Sequence, residues 1–261
     1  MRIKRSAGWQ SAPLLLLVVA LLATLAACSS IESDPTAKWD ADRLYAEAKE
    51  EMSSGNWKKG RELLEKLEAR YPFGRYAQQS QMEIAYTYYK EGETAQAVTA
   101  AERFLKLNPN NQNADYVQYL KGLALYNDDL GIFGRAFGRD PTYRDPKAMR
   151  EAFDAFKELV VRYPNSRYAP EATARMNYLV NALAQSEVNV ARYYLQRGAY
   201  VAAIQRSQAA IREYVGAPAS EEALSIMVRS YGALGMDGLR ADAERVLLKN
   251  YPNSTYLRQP K

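Results

Sequence analysis

Apolar residues recur at the helical period along most of residues 38–252, and no segment alternates convincingly at the period of a strand. Apolar side chains three or four positions apart fall on one face of a helix. They do so in two runs: Leu63, Leu64 and Leu67; and Phe153, Phe156, Leu159 and Val160. Glycine and proline cluster between the periodic segments, where they predict turns. The pattern therefore predicts an all-α protein.

One helix-ending signal recurs along the chain. Its clear copies are Tyr71-Pro72, Tyr163-Pro164 and Tyr251-Pro252, with Asn108-Pro109 as a variant and Tyr214-Val215 as a degenerate copy. The first and last spacings between copies are 37 residues, and the two middle spacings are 55 and 51 residues. The third and fourth units must therefore contain insertions or longer helices.

Small residues stand at fixed offsets before these endings, in the order of a tetratricopeptide (TPR) repeat. Ala48 precedes Gly55 and Gly60 in the first unit, and Ala85 precedes Gly92 in the second. Small residues let two helices approach closely, a glycine permits positive φ in the turn between them, and a proline ends the second helix. Because one unit cannot bury its own apolar face, neighbouring units stack. We predict a right-handed TPR superhelix of five helix pairs, at 38–72, 76–109, 113–164, 168–215 and 219–252, with a tail at 253–261.

The first 27 residues have the form of an export signal. Arg2, Lys4 and Arg5 precede an apolar stretch at 14–27, which is shorter than the roughly 20 residues that span a bilayer. Cys28, the only cysteine, follows the small residues Ala26 and Ala27, as in a lipobox. An ordinary secreted protein with a chance cysteine is the alternative.

A lipidated Cys28 would carry N-palmitoyl and S-diacylglycerol groups, which anchor a protein stably to a membrane. Residues 28–37 are then a polar, flexible tether. Ser29 and Ser30 follow the cysteine, and the absence of aspartate there favours the outer membrane over the inner one. We expect an outer-membrane protein, lipid-anchored, with its body in the periplasm.

Composition excludes several kinds of chemistry. The chain has no histidine, so His-based triads, bases and metal sites are absent. With Cys28 acylated, no thiol remains for catalysis or a disulfide. The formal charge of +5 includes three basic residues of the signal, so the mature chain is close to neutral and we expect no nucleic-acid partner. We expect no enzyme activity, no metal and no cofactor beyond the covalent lipid.

The third unit contains a long loop, residues 127–146. Its glycines lack the spacing of a phosphate-binding loop, and Asp128 and Asp129 alone are too few oxygen ligands for a metal site. Phe133 and Phe137 indicate either packing against the solenoid or contact with a partner, and the sequence leaves that choice open.

TPR proteins bind peptides along their first helices, so we located the groove-facing positions of the first three units. They carry tyrosine, methionine and lysine side chains, which offer rigid aromatic area, adaptable apolar contact and a partner for carboxylates. The groove residues predicted are Tyr45, Lys49, Met82, Tyr86, Tyr89, Lys90, Tyr116, Tyr119 and Tyr126. Further groove positions are Asp42, Met52, Ser53, Gln79, Leu123 and Asn127. Individual tyrosines could instead pack between repeats.

Several runs together resemble the BamD (ComL) family of TPR lipoproteins. They include residues 70–79 (RYPFGRYAQQ), 85–90 (AYTYYK), 107–109, 144–146 and 163–166. The resemblance covers the lipobox and all five repeats. It implies a subunit of the outer-membrane β-barrel assembly (BAM) machinery that receives the C-terminal signals of unfolded barrel proteins.

The resemblance also implies partners. These are the POTRA domains of the central barrel protein, docked through the C-terminal repeats, and accessory BAM lipoproteins. The docking candidates are Arg197, Tyr200 and Arg206, around the second helix of the fourth unit.

Two other classes of function share some of these features. A TPR lipoprotein that binds peptidoglycan or cell-division partners would have the same anchor and repeats without needing the tyrosine groove. A cell-wall hydrolase is disfavoured, because the chain has neither histidine nor a free thiol and repeats occupy almost all of the mature chain.

Overall fold

The computed structural model describes residues 34–127 and 146–256. The described residues fall into two units, one ending at Asp40 and one beginning at Ala41. In the first unit, the backbone N–H and hydroxyl of Thr36 both donate to Asp34 Oδ1, at 3.0 and 2.8 Å. The end of the predicted tether therefore has local hydrogen-bonded order, whereas the signal peptide and Cys28 lie outside the described residues.

The second unit is all-helical over its described residues, which confirms the predicted fold class. Ten helices follow one another: α1 (Ala41–Ser53), α2 (Trp57–Arg70), α3 (Ala77–Glu91), α4 (Thr94–Leu107), α5 (Ala114–Asn127), α6 (Pro146–Arg162), α7 (Ala169–Gln196), α8 (Tyr200–Glu213), α9 (Ser220–Ala233) and α10 (Asp237–Asn250). Each helix packs against the next one along the chain, and α3 also contacts α5 and α7 contacts α9. This is the contact pattern of helix pairs stacked in chain order.

Within the pairs, the small residues allow the close approach that the sequence predicts. Ala48 and Ala85 are fully buried. A Cβ added at Gly60 would lie 2.5 Å from Met52 Cγ, and one at Gly122 would lie 2.5 Å from Phe156 Cε1. At Gly92, φ is +79° and the N–H bonds to the last carbonyls of α3, so the glycine ends that helix and turns the chain into α4.

The recurrent helix endings adopt one geometry. The N–H of the residue that ends the helix donates, at 2.8 Å, to a carbonyl in its last turn, and four endings share this bond: Tyr71 to Leu67, Asn108 to Phe104, Tyr163 to Leu159 and Tyr251 to Leu247. Tyr214, the degenerate copy, accepts a bond at 3.1 Å from Ala217 N–H, the counterpart of the bond from Gly74 N–H to Tyr71. The repeated signal thus ends equivalent helices.

The two long spacings between helix endings, in the third and fourth units, have different structural causes. The fourth pair is long because α7 has 28 residues, against 13 to 17 in the other described helices. The insertion of the third pair falls between α5 and α6, so Phe133 and Phe137 lie outside the described residues. Over the parts that are described, no helix has both the length and the apolar character needed to cross a membrane.

Candidate functional site

A cavity of about 350 Å³ lies against the first helices of the first three repeats. Its walls come from α1, α3 and α5 and from the segments that precede α5 and α7. We call it the N-terminal pocket. Its apolar and aromatic lining is Met52, Met82, Tyr86, Tyr116 and Tyr168, and its polar lining is Lys49, Gln79, Glu83, Asn113 and Arg167.

Glu83, on α3, is a buried carboxylate of this pocket, with 8% of its surface exposed. Its Oε1 accepts three hydrogen bonds: from Tyr45 Oη at 3.0 Å, from Lys49 Nζ at 2.9 Å and from Gln79 Nε2 at 2.9 Å. Its Oε2 is buried and has no hydrogen-bond partner among the described residues. One carboxylate oxygen therefore links α1 to α3 through hydrogen bonds, and the other accepts none from the described residues.

Ionisation of the surrounding tyrosines is suppressed. Burial, followed by the charge of Glu83, raises the pKa of Tyr45. Burial also raises the pKa of Tyr116, with smaller contributions from Tyr86 and Tyr168. Both phenols are thus neutral at physiological pH, and Tyr45 remains a donor to the carboxylate.

An arginine–tyrosine pair flanks the pocket on the α7 side. The Arg167 guanidinium lies 4.8 Å from the centre of the Tyr168 ring, and its Nη2 donates to the Tyr168 hydroxyl at 2.6 Å. Tyr168 stacks on Tyr119 with ring centroids 4.8 Å apart. The exposed guanidinium of Arg167 therefore lies at the rim of the pocket.

Four of the predicted groove residues line the pocket together: Lys49, Met82, Tyr86 and Tyr116. Met52 and Gln79, at further groove positions, line it too. Met52 and Met82 are each only 5% exposed, so they form its floor rather than an open surface. The groove positions therefore converge on one cavity.

Five predicted groove residues lie outside the lining, and three of them contact other side chains of the first two repeats. Tyr89 lies 6.4 Å from Tyr86, measured between ring centroids, and Lys90 Nζ lies 5.1 Å from the Trp57 ring. Tyr45 reaches the pocket only through its bond to Glu83. Tyr45 and Tyr89 therefore contact lining residues without lining the cavity themselves.

Tyr119 and Tyr126 are used mainly in packing, which is the alternative that the sequence left open for single tyrosines. Tyr119 is 6% exposed and packs on Phe156, at 6.1 Å between ring centroids. Tyr126 makes edge contacts with Phe156 and Tyr178. The aromatic groove is therefore shorter than the prediction.

Glu83, Asn113, Arg167 and Tyr168 line the pocket and were not among the predicted groove positions. A signal for two of them was present, because Arg167-Tyr168 repeats Arg75-Tyr76 after the same Tyr-Pro ending. Glu83 and Asn113 have no such signal, since their place in the pocket depends on how α1, α3 and α5 pack. No group of three or more acidic or cysteine side chains is arranged to hold a metal within 34–127 and 146–256.

The predicted docking residues lie around the turn between α7 and α8. Arg197 is exposed, with its guanidinium 5.3 Å from the ring of Tyr193, which is itself 52% exposed. Arg206 Nη1 is held by Glu187 Oε2 at 3.0 Å, and Tyr200 is half-buried. Arg197 and Tyr193 therefore offer a contact surface, whereas Arg206 already has an internal partner.

Comparison with known proteins gives consistent matches over nearly the whole chain. A family model described as "YfiO: Outer membrane lipoprotein" matches residues 37–246. The outer membrane protein assembly factor BamD of Neisseria meningitidis serogroup B is 46% identical over 94% of each chain. The BamD of Vibrio cholerae is 39% identical over 82% of this chain and 89% of its own.

A solved structure of nearly identical TPR-like repeats from Podosopora anserina aligns over 81% of this chain and 96% of its own, with 14% identity and a TM-score of 0.35. The helix pairs described above define the fold without that likeness. The family model and the sequence relatives place the chain in a family: it belongs to the YfiO family of outer membrane lipoproteins, together with the assembly factors named BamD.

Proposed function

We propose that this chain is a non-enzymatic, lipid-anchored subunit of the BAM complex that recognises C-terminal signals of unfolded outer-membrane proteins and scaffolds their assembly. Its relatives carry the name outer membrane protein assembly factor. The observation that supports substrate recognition is the N-terminal pocket, a cavity formed by repeats one to three and the start of the fourth.

The pocket suits the end of a polypeptide chain with an aromatic side chain. Its floor and walls, including Met52, Met82 and Tyr116, provide adaptable and aromatic contact area. Lys49 and Arg167 supply two cations at its edge, and both are partly exposed. An α-carboxylate can pair with such cations while the aromatic ring enters the apolar part.

Acylation at Cys28 would attach the chain to the outer membrane, with the repeats in the periplasm. Two or more acyl chains give stable anchoring. The match to an outer membrane lipoprotein family and the lipobox at residues 25–28 support this.

The remaining partners are the POTRA domains of the central barrel protein and the accessory BAM lipoproteins. Arg197 and Tyr193 present a guanidinium and an aromatic ring to solvent, and Val201, in the first turn of α8, is 58% exposed. Arginine and tyrosine are enriched at the energetic centres of protein interfaces. We assign POTRA docking to this α7–α8 surface.

Peptide binding tests the proposal. A labelled C-terminal peptide of a barrel protein is titrated with the full mature chain, and with a Tyr86→Ala/Tyr116→Ala variant, by fluorescence anisotropy. Removing two aromatic walls should weaken binding about tenfold or more. Amidation of the peptide C-terminus should also weaken binding.

The matched control is Tyr193→Ala, which removes an exposed tyrosine far along the chain and should leave the affinity unchanged. Circular dichroism checks that each variant is folded. Unchanged affinity in a folded Tyr86→Ala/Tyr116→Ala variant contradicts recognition at this pocket.

A further inference from the structure

The chain contains two copies of one local arrangement, at the starts of repeats two and four. In each copy an Arg-Tyr pair follows a Tyr-Pro ending, and the tyrosine stacks on a tyrosine of the preceding repeat. Tyr76 stacks on Tyr45 at 4.3 Å, and Tyr168 stacks on Tyr119 at 4.8 Å, between ring centroids. The two copies can therefore be compared residue by residue.

In the copy at repeat four, the charged groups beside the stack satisfy one another. Arg175, the seventh residue after Tyr168, donates through Nη2 to Glu171 Oε1 at 2.7 Å. Its guanidinium also lies 4.8 Å from the Tyr126 ring. The hydrogen bond from Tyr119 to Glu171, and then Arg175, hold the pKa of Glu171 below its usual value. In this copy, therefore, the charged groups beside the stack are bound by other side chains of the protein.

In the copy at repeat two, the equivalent position holds a carboxylate instead. Glu83 is the seventh residue after Tyr76, and all of its three donors bind Oε1. The buried Oε2 has no partner among the described residues, and Glu83 lines the N-terminal pocket. A buried acceptor without a donor costs free energy, so such atoms in folded proteins usually have a partner.

We propose that, when a peptide enters the N-terminal pocket, the side chains that cover Oε2 of Glu83 in the free chain shift and Oε2 accepts a hydrogen bond from a backbone N–H of that peptide. The proposal rests on the proposed function and identifies the ligand group that this pocket selects. A neutral donor fits because Lys49 already neutralises the carboxylate and Arg167 lies on the same pocket, so a ligand cation would be repelled.

A backbone N–H fits better than a side-chain donor. A receptor for many different barrel proteins must use groups that all of them share, and each residue except proline carries one backbone N–H. Glu83 would then fix the depth and register of the peptide, while the methionine and tyrosine walls accept varied side chains.

A double-mutant cycle tests the assignment. Backbone amides of a C-terminal barrel peptide are N-methylated one at a time, and each peptide is titrated against the full mature chain and against Glu83→Gln. In the parent chain one methylation should weaken binding about tenfold, and in Glu83→Gln the same methylation should cost about twofold or less. The Gln side chain keeps the size of Glu83 but places an amide donor where an acceptor is needed.

Two further variants separate this effect from a structural one. Glu83→Asp keeps the charge but withdraws Oε2 and should lose the same methylation effect. Lys49→Met removes a neighbouring cation but keeps Oε2 and should retain the methylation effect. Thermal unfolding checks that each variant is folded.

The outcomes distinguish the two proposals. Equal methylation penalties in the parent chain and in folded Glu83→Gln and Glu83→Asp, at every position, overturn the role of Oε2. Tighter binding of peptides with an added lysine would assign Oε2 to a cation and also overturn it. If the parent chain binds no C-terminal peptide, the proposed function fails instead.

Discussion

Tyr76 stacks face to face on Tyr45, with ring centroids 4.3 Å apart and ring planes inclined by 11°. The Tyr76 hydroxyl also donates to Asp42 Oδ1 at 2.6 Å, so a residue that precedes α3 binds two residues of α1. Tyr168 and Tyr119 repeat the stack between repeats three and four, with an angle of 13°. Stacked tyrosines are thus a recurrent joint between successive repeats.

Loss of the buried ring at one joint should destabilise the fold. Tyr119 is 6% exposed and contacts both Tyr168 and Phe156, so Tyr119→Ala should lower the free energy of unfolding by about 3 kcal/mol. Urea unfolding followed by circular dichroism measures this. Tyr193→Ala, at an exposed ring, should cost less than about 1 kcal/mol. Similar losses in the two variants would show that the stack is unimportant.

Stability should fall in strongly alkaline solution. Burial, followed by the hydrogen bond with Glu171, raises the pKa of Tyr119 from its usual 10 to about 12. Between these values the folded state holds a proton that the unfolded state has lost, so stability is retained below pH 10 and decreases as pH rises towards 12.

Urea midpoints measured across this pH range test the effect. Tyr119→Phe keeps the ring but cannot ionise, so its stability should fall less steeply than that of the parent chain. Parallel curves for the two proteins would remove Tyr119 as a source of the pH dependence.

The close approach of α5 and α6 at Gly122 should not tolerate a methyl group. In Gly122→Ala the new Cβ would lie 2.5 Å from a ring atom of the fully buried Phe156, so we expect a loss of about 1–3 kcal/mol. Gly60→Ala would bring a Cβ to 2.5 Å from Met52 Cγ and 3.2 Å from the backbone oxygen of Ala48, so we expect a loss of similar size. Gly238→Ala, with open space around the Cβ, should have little effect on the thermal midpoint. A neutral Gly122→Ala would contradict this packing.

Arg197 and Arg206 should differ in docking. Arg197→Ala should reduce co-purification of the central POTRA-containing protein from detergent-solubilised membranes. Arg206→Ala should have a smaller effect, because Arg206 is paired with Glu187 within the same repeat pair. Quantitative mass spectrometry of material recovered through a C-terminal tag gives both results. Equal recovery with Arg197→Ala would move the docking surface elsewhere.

The proposed acylation depends on one side chain. Cys28→Ser should abolish incorporation of labelled palmitate and shift the chain from the membrane fraction to the soluble periplasmic fraction. Retention in the membrane fraction by the unlipidated variant would show that protein contacts alone hold it there.

The sequence was sufficient for the fold, because TPR geometry depends on local rules. The glycine at position 92 and the recurrent Tyr-Pro endings mark the turns and helix ends directly. Four predicted groove residues were also found together, since groove positions follow from the helical period.

The pocket was less predictable, because its polar lining depends on packing between repeats. Glu83 belongs to α3, and only the approach of α1 brings Tyr45 and Lys49 to it. Tyr119 and Tyr126 occupy groove positions by period, yet they are used in packing because Tyr168 and Tyr178 of the next repeat lie against them. The helical period determines which way a side chain points within one repeat, but packing against the next repeat determines whether that side chain is buried.

The succession of contacts from each helix to the next also bears on how the chain reaches its folded state. Most of the core of any repeat is completed by residues close to it in sequence, and local contacts of this kind close with little loop entropy. The first repeats can therefore form before the last have been synthesised or exported. Such progressive folding would make the N-terminal pocket ready while the C-terminal helices are still adding to the stack.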